Sequence, residues 1–301
     1  MERDAVIIEV GLNEATDRAV NPTVPITPAE CAADAVRCHD AGAAVVHWHA
    51  RDPDTGAQRL DDAALYGEAL DLMRTTDVLA YPSYPVDVPD EIDTRLAHVW
   101  ALREHHGLEL APVDIGSVTT VIWDGRNGDF AGIDGLRQLG AVTNSLPFTL
   151  DALERATALG MVPTLGAFDV GFTRTMVLLA EAGRLREPVL HKIFLSGAWA
   201  VGPFPSEPAL DLHLAQIPDG LDVEWIVVPY ALDDAALVER LCRHALERGG
   251  GVRVGVGDHP AAFPEATNAD LVTQASKWAD DVGRPVASSA EVRERFTISC
   301  S

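Results

Sequence analysis

Cationic side chains are scarce in this sequence: 23 Lys and Arg stand against 46 Asp and Glu, a formal charge of −23 over 301 residues. Such a surface repels polyanions, which argues against DNA, RNA or an anionic membrane as a partner. Cysteine is sparse as well. Cys31, Cys38, Cys242 and Cys300 show no C-x-x-C spacing, and they read as reduced thiols in a cytoplasmic protein. No stretch reaches the roughly 18 apolar residues that a spanning helix needs. The N-terminal MERDAVIIEV puts charges before a short apolar run without a cleavage-type tail, so neither secretion nor membrane insertion is signalled. Low-complexity tracts, internal repeats, charge blocks and linkers are missing too, and residues 1–301 are expected to form a single domain.

What is present is a chain with 47% hydrophobic residues, enough to bury a large core. Short β-rich apolar runs recur with helix-patterned segments between them, the pattern of a parallel sheet covered by helices. Strands are predicted at 5–12, 43–49, 78–83, 110–116, 161–168, 190–196, 223–229 and 252–256. Helices are predicted near 28–41, 61–74, 90–106, 149–159, 173–182, 208–216, 233–248 and 268–283, several opened by cap-type residues such as Thr27-Pro28 and Asp233-Asp234. Eight of each suggest an α/β fold of the closed (β/α)8 TIM-barrel type, with a doubly wound open sheet as the alternative. A ninth apolar run, AVTNSL at 141–146, is assigned to a loop entering the next helix, and the Pro/Phe-rich stretch 199–208 is left without an element.

In such a barrel the site lies at the carboxyl ends of the strands. The second strand ends in His47-Trp48-His49; alternation sends residues two apart to one face, so both imidazoles can point into the mouth and hold a divalent metal. In VIIEVGLNEATDR the apolar residues Val6, Ile8, Val10 and Leu12 should meet the helices, which leaves Glu9 and Asn13 inward. A carboxylate inside a barrel needs a cationic partner. The last strand, GGGVRVGVGDHP, carries Arg253 within an apolar run and Asp258 after two glycines, either a site or a structural pair. Ser83 lies just past the third strand, and Asp114 and Ser117 close the fourth.

With these residues in view the chain resembles the β-keto acid cleavage enzyme family. The likeness is carried by NPTVPITPAE at 21–30, AGAAVVHWHARDPDTG at 41–56, GGGVRVGVGD at 249–258 and NADLVTQASKWADDVGRPVASSAEVRE at 268–294. The resemblance implies a zinc-bearing barrel, usually a homotetramer, that reacts a β-keto acid with acetyl-CoA as co-substrate to give acetoacetate and a new acyl-CoA, without a redox cofactor. It implies that His47 and His49 are zinc ligands and that Ser83, Arg253 and Asp258 are the base network. The family's last strand often ends in Glu-Asp, with that Glu on the zinc, but here Gly257 precedes Asp258. Strand one adjoins strand eight in a closed barrel, so Glu9 is the expected third ligand and Asp258 its rival. A strand-one Glu binds the substrate amine in the member that cleaves an amino-keto acid; Glu14 lies one place out of register, with Ala15 aligned instead, and amine specificity is not carried over.

Substrate contacts are expected from Asn13, Glu14, Asp114 and Ser117, and the CoA phosphates need a local basic patch, for which Arg18, Arg51 and Arg126 are candidates. Two other readings stand beside this one. A metal-dependent hydrolase of the amidohydrolase type also uses H-x-H, but normally adds two strand-end histidines and a late Asp, whereas His191 opens its strand. A non-catalytic barrel that binds a small acid is the third.

Overall fold

A computed structural model describes residues 4–119, 121–124, 129–132 and 141–298. Arg126 and Cys300 lie outside the described residues. The chain begins with β1 (Ile8–Gly11), α1 (Pro28–Asp40), β2 (Val45–Trp48), α2 (Ala63–Met73) and β3 (Leu79–Pro82). Next come α3 (Ile92–Arg95), α4 (Ala97–His106) and β4 (Leu110–Asp114). An excursion of short antiparallel pairs follows: β5 (Val118–Thr119) pairs with β8 (Ala141–Val142), and β6 (Val121–Asp124) with β7 (Asp129–Gly132). The alternation then resumes with α5 (Leu146–Ala158), β9 (Val162–Ala167), α6 (Val170–Glu181), β10 (Val189–Ser196), α7 (Glu207–Leu214), β11 (Val223–Tyr230), α8 (Ala235–Glu247), β12 (Gly251–Val254), α9 (Asn268–Asp281) and α10 (Ser289–Arg295).

The eight strands read from the sequence form one parallel sheet in the order β3-β2-β1-β12-β11-β10-β9-β4. First and last strands in sequence are neighbours, and β3 and β4 at the two ends of that order lie side by side. This is a nearly closed TIM barrel, not an open doubly wound sheet. Its helices begin where the caps predict: Thr27 and Glu30 form a reciprocal capping box on α1 with Pro28 in the first turn, and Asp234 caps α8.

Two local expectations differ. The run at 141–146 is not all loop, since Ala141 and Val142 pair with β5. The helix predicted over 90–106 breaks at Leu96, because the Arg95 side chain turns inward to the carbonyls of Val88 and Thr143.

Two apolar layers hold the barrel. Val6, Ile8, Val10 and Leu12 pack outward against the helices, as the alternation requires. A second cluster, with Ile7, Val45, Leu79, Leu110, Leu190 and Ile226, fills the interior and is joined by Val292 and Phe296 of the unpredicted α10 end. The interior is thus plugged below and polar only toward the carboxyl ends of the strands. Among the described residues no helix is long and apolar enough to cross a membrane.

Candidate active site

His47 stands on β2 and His49 just past its end, with ring centroids 5.3 Å apart. Each ring is oriented from behind. His47 Nδ1 lies 3.1 Å from the carbonyl of Tyr81, which can only accept, so Nδ1 carries the proton. His49 Nδ1 lies 3.0 Å from Gln58 Oε1. Both Nε2 lone pairs therefore face forward, and both face Glu14: 3.1 Å separates His47 Nε2 from Oε1, and 2.7 Å His49 Nε2 from Oε2. Burial pushes His47 down to about 4, so it is neutral near pH 7. Acceptors facing acceptors repel until a cation sits among them, and two imidazoles with one carboxylate are a donor set that suits a divalent metal. Glu14, His47 and His49 present their ligand atoms within 4.8 Å of one another.

The carboxylate that faces the two imidazoles is Glu14 and not Glu9, and strand register is the reason. On β1 the residue level with His47 is Gly11, while Glu9 is level with Val45 and Arg253. Glu9 points inward as expected, but two residues deeper, about 6.6 Å along the strand. There it accepts from Tyr81 Oη and, at 3.1 Å, from Arg253 Nη1. Glu14 comes from the turn beyond β1, where its backbone takes a positive φ of 40°, an uncommon conformation for a residue with a Cβ and one associated with functional sites. Burial opposes its charge, and the Arg253 guanidinium bonded to it favours it.

Arg253 joins this cluster to a second one. Its Nε and Nη2 bind the two oxygens of Asp258 at 2.9 and 2.7 Å, and Nη2 also reaches Glu14. Gly11 leaves the room: a Cβ there would stand 2.4 Å from Asp258 Oδ2. Burial pushes Asp258 up to about 7, with Arg253 opposing and Glu14 reinforcing the shift. Lys192 was not anticipated. It is buried on β10, donates to Tyr81 Oη at 2.7 Å, and is lowered to about 8 chiefly by burial. Its one sequence signal is a cation inside the apolar run LHKIFL.

The remaining candidates have other surroundings. Ser83 is held through its carbonyl by His98, and its side chain makes no hydrogen bond to Arg253 or Asp258 among the described residues. Asn13 is fully committed as a brace, bonding the amide and carbonyl of His49 and the carbonyl of Pro25. Asp114 accepts from Tyr84 Oη at 2.6 Å, and burial raises its carboxyl. Ser117 is exposed and accepts from the Asn144 amide. Arg18 is half exposed and pairs with Glu30, whereas Arg51 is buried and tied to the carbonyls of Thr16 and Gly56. His191 faces away from the mouth, 3.0 Å from Thr173 Oγ1, which removes it from any second set of metal ligands.

The profile of one family, beta-keto acid cleavage enzyme, matches residues 5–298. The chain belongs to the beta-keto acid cleavage enzyme family. It is 29% identical to 3-dehydrocarnitine:acetyl-CoA trimethylamine transferase of Rhizobium meliloti, over 92% of this chain and 90% of the relative. Identity is 25% to the 3-keto-5-aminohexanoate cleavage enzyme of Acetoanaerobium sticklandii, over 93% of each chain. It is also 25% to 3-oxoadipate:acetyl-CoA acetyltransferase of Cupriavidus necator, over 91% of this chain and 87% of that one. Among solved structures, a ternary complex of ObcA with a C4-CoA adduct and oxalate superposes with a TM-score of 0.68 at 18% identity, over 92% of this chain and 68% of that one. That likeness is one of fold.

For a beta-keto acid cleavage enzyme, the glycine before Asp258 has a steric counterpart. A Cβ on Gly257 would lie 2.7 Å from Asn13 N, 2.8 Å from Gly11 O and 2.9 Å from Glu14 N, all backbone atoms that cannot swing aside. A side chain at 257 and this placement of Glu14 therefore exclude each other. Gly257→Ala is expected to push the Glu14 turn away and weaken metal binding by about tenfold or more, the range seen when the supports of metal ligands are removed; competition with a chelator measures it, and an unchanged affinity would count against the steric coupling.

Proposed function

We propose that this protein is a metal-dependent β-keto acid cleavage enzyme, an acyltransferase that reacts a β-keto acid with acetyl-CoA to give acetoacetate and a new acyl-CoA. The observation that carries the reading is the convergence of His47 Nε2 and His49 Nε2 on Glu14 at the mouth of a barrel of this family. The three relatives named above act, by their names, on β-keto acids, two of them with acetyl-CoA.

His47, His49 and Glu14 would hold the cation, and two histidines with one carboxylate and an open position match catalytic zinc. When bound, it would supply Lewis acidity toward keto and carboxylate oxygens. Asp258 moves the proton. The methylene between keto and carboxylate groups carries the acidic hydrogen, and a carboxylate near 7 is matched to taking and returning it at neutral pH. Arg253 fixes the orientation of Asp258 through two parallel bonds. Lys192 and Arg253 keep positive charge beside Tyr81 at the floor of the site, where it favours an anionic substrate. The exchange balances: the β-keto acid gives its acyl group to CoA, its carboxymethylene unit takes the acetyl group, and no electron is gained or lost.

Activity should be present at and above neutral pH and fall as pH drops through the value of Asp258, because the base works deprotonated. Asp258→Asn is expected to lower kcat by about 10² to 10⁴, the usual contribution of a positioned base, and to abolish that acid limb. The reading as a whole is tested by metal content of wild type and of His47→Ala/His49→Ala, then by β-keto acids with acetyl-CoA, following acetoacetate. Metal without product from any keto acid would defeat the cleavage reading. Zinc as the ion, a homotetramer and a cytoplasmic location complete the proposal; the buried free thiols Cys31, Cys38 and Cys242 fit a reducing compartment, and light scattering on the purified protein reports the assembly.

A further inference from the structure

Opposite the two imidazoles stands a wall of aromatic rings that the proposed chemistry does not use. In the ring of strands β10 is four staves from β2, so the residues at its carboxyl end face His47 and His49 across the mouth. Phe194 lies on β10, Phe168 directly follows β9, Tyr230 closes β11, and Trp199 sits in the stretch after β10. Phe168 stacks on Phe194 at 4.3 Å and on Trp199 at 5.5 Å, with interplanar angles of 18° and 11°. Tyr230 meets Phe194 and Trp199 edge-on at 77° and 82°. Parallel rings met by a perpendicular one make a corner. Phe168, Trp199 and Tyr230 remain partly exposed there, and contiguous apolar surface of this kind marks interaction and ligand sites.

The corner is continuous with the site. Arg253 Cζ lies 5.9 Å from the Phe194 ring, and the same guanidinium binds Glu14 between the imidazoles. Trp199 is the one ring of the four that also borders the adjoining cavity of about 360 Å³ lined by Ser196–Phe204, a volume within the range of small-molecule sites. Gly197–Phe204 contains no ionisable residue. Resting on the cleavage reading, we propose that Phe168, Phe194, Trp199 and Tyr230 form the subsite for the group on the keto carbon, and that this group is uncharged and apolar, branched or aromatic.

Charge argues against the alternatives. Aromatic faces can hold a quaternary ammonium, but Lys192 Nζ and Arg253 Cζ already lie 6.0 and 5.9 Å from the Phe194 ring, and the nearby carboxylates Glu9, Glu14 and Asp258 are bonded to Arg253 instead of being turned to the rings. Asp169, the carboxylate beside Phe168, is turned to cap α6 through the Gly171 amide at 2.8 Å. A carboxylate-bearing group would lose its hydration against four rings, while the nearest cations are already engaged, Arg253 with Glu9, Glu14 and Asp258 and Lys192 with Tyr81.

The test uses metal-loaded wild type, Trp199→Ala and Trp199→Phe with four probes: 3-oxo-5-methylhexanoate, benzoylacetate, 3-oxoadipate and 3-dehydrocarnitine. Binding is read by calorimetry and turnover by acetoacetate formed from acetyl-CoA. The two apolar acids should bind at least tenfold more tightly than the two charged ones. Trp199→Ala should raise their Kd and KM by about 10- to 200-fold, the range over which a hydrophobic pocket discriminates, with Trp199→Phe close to wild type. Tighter binding of 3-oxoadipate or 3-dehydrocarnitine overturns the proposal. So does a Trp199→Ala protein altered only in its KM for acetyl-CoA, which would assign the wall to the CoA arm. If no acid is turned over, the cleavage reading fails, while the binding order still decides the subsite.

Discussion

Glu14→Gln should purify with far less than one metal ion per chain and lose acetoacetate formation almost completely. The carboxylate is the anionic member of the three-residue set, 3.1 and 2.7 Å from the two Nε2 atoms. An amide keeps the shape and removes the charge, and its NH2 group would be turned toward a lone pair instead of a cation. Loss of a group that merely supports a ligand costs about 10- to 100-fold in metal affinity, so loss of the ligand should exceed the upper figure. Glu9→Gln is the control, because Glu9 lies level with Val45 and bonds Tyr81 and Arg253; its metal content should stay near wild type. Metal analysis after dialysis, with cobalt absorption as a second readout of the ligand field, measures both variants. Full metal in Glu14→Gln and loss in Glu9→Gln would return the third ligand to strand one.

Arg253→Met is expected to be the most destabilising single change in the barrel. The guanidinium is buried and bonds Glu9, Glu14 and Asp258. Replacing it leaves like charges packed together without a counterion, and breaking a buried pair typically costs about 3–5 kcal/mol out of a total stability on the order of 5–15 kcal/mol. A fall in Tm on the order of 10 °C follows for a chain of this size. The pH dependence has a definite sign. Without Arg253 nothing opposes the burial that raises the Asp258 carboxyl above its unfolded value, so the folded form binds more protons and stability is lost as pH rises through the folded value. The deficit should therefore shrink on going from pH 8 to pH 5. Arg253→Lys restores charge but not the two-pronged geometry, and should recover part of the stability but little of the activity. Thermal unfolding of the three proteins across that pH range is the measurement; a deficit that does not depend on pH would mean the guanidinium acts through packing alone.

Much of this architecture was legible in the linear chain because it rests on periodicity. Alternating Val6, Ile8, Val10 and Leu12 announced which face of β1 meets the helices, and the same period put His47 and His49 on one side of β2. Eight strands separated by capped helices leave few ways to bury a parallel sheet. The inward carboxylate at Glu9 and the Arg253–Asp258 pair were visible for the same reason: a charge in an apolar strand must have a partner.

What the sequence by itself determined, then, was the barrel, the imidazole pair and the family resemblance through four motif blocks. Only the tertiary structure decided which carboxylate faces the imidazoles. That choice depends on the stagger between β1 and β2, which aligns Gly11 with His47, and on a turn at positive φ where strand alternation no longer applies. Local pattern carries the face on which a side chain lies, but not its height along a neighbouring strand, because register is set by pairing between segments far apart in the chain. The same holds for Lys192 and Tyr81, whose contact across the barrel floor spans 111 residues, and for Gly257, whose missing side chain makes room for a backbone more than two hundred residues away.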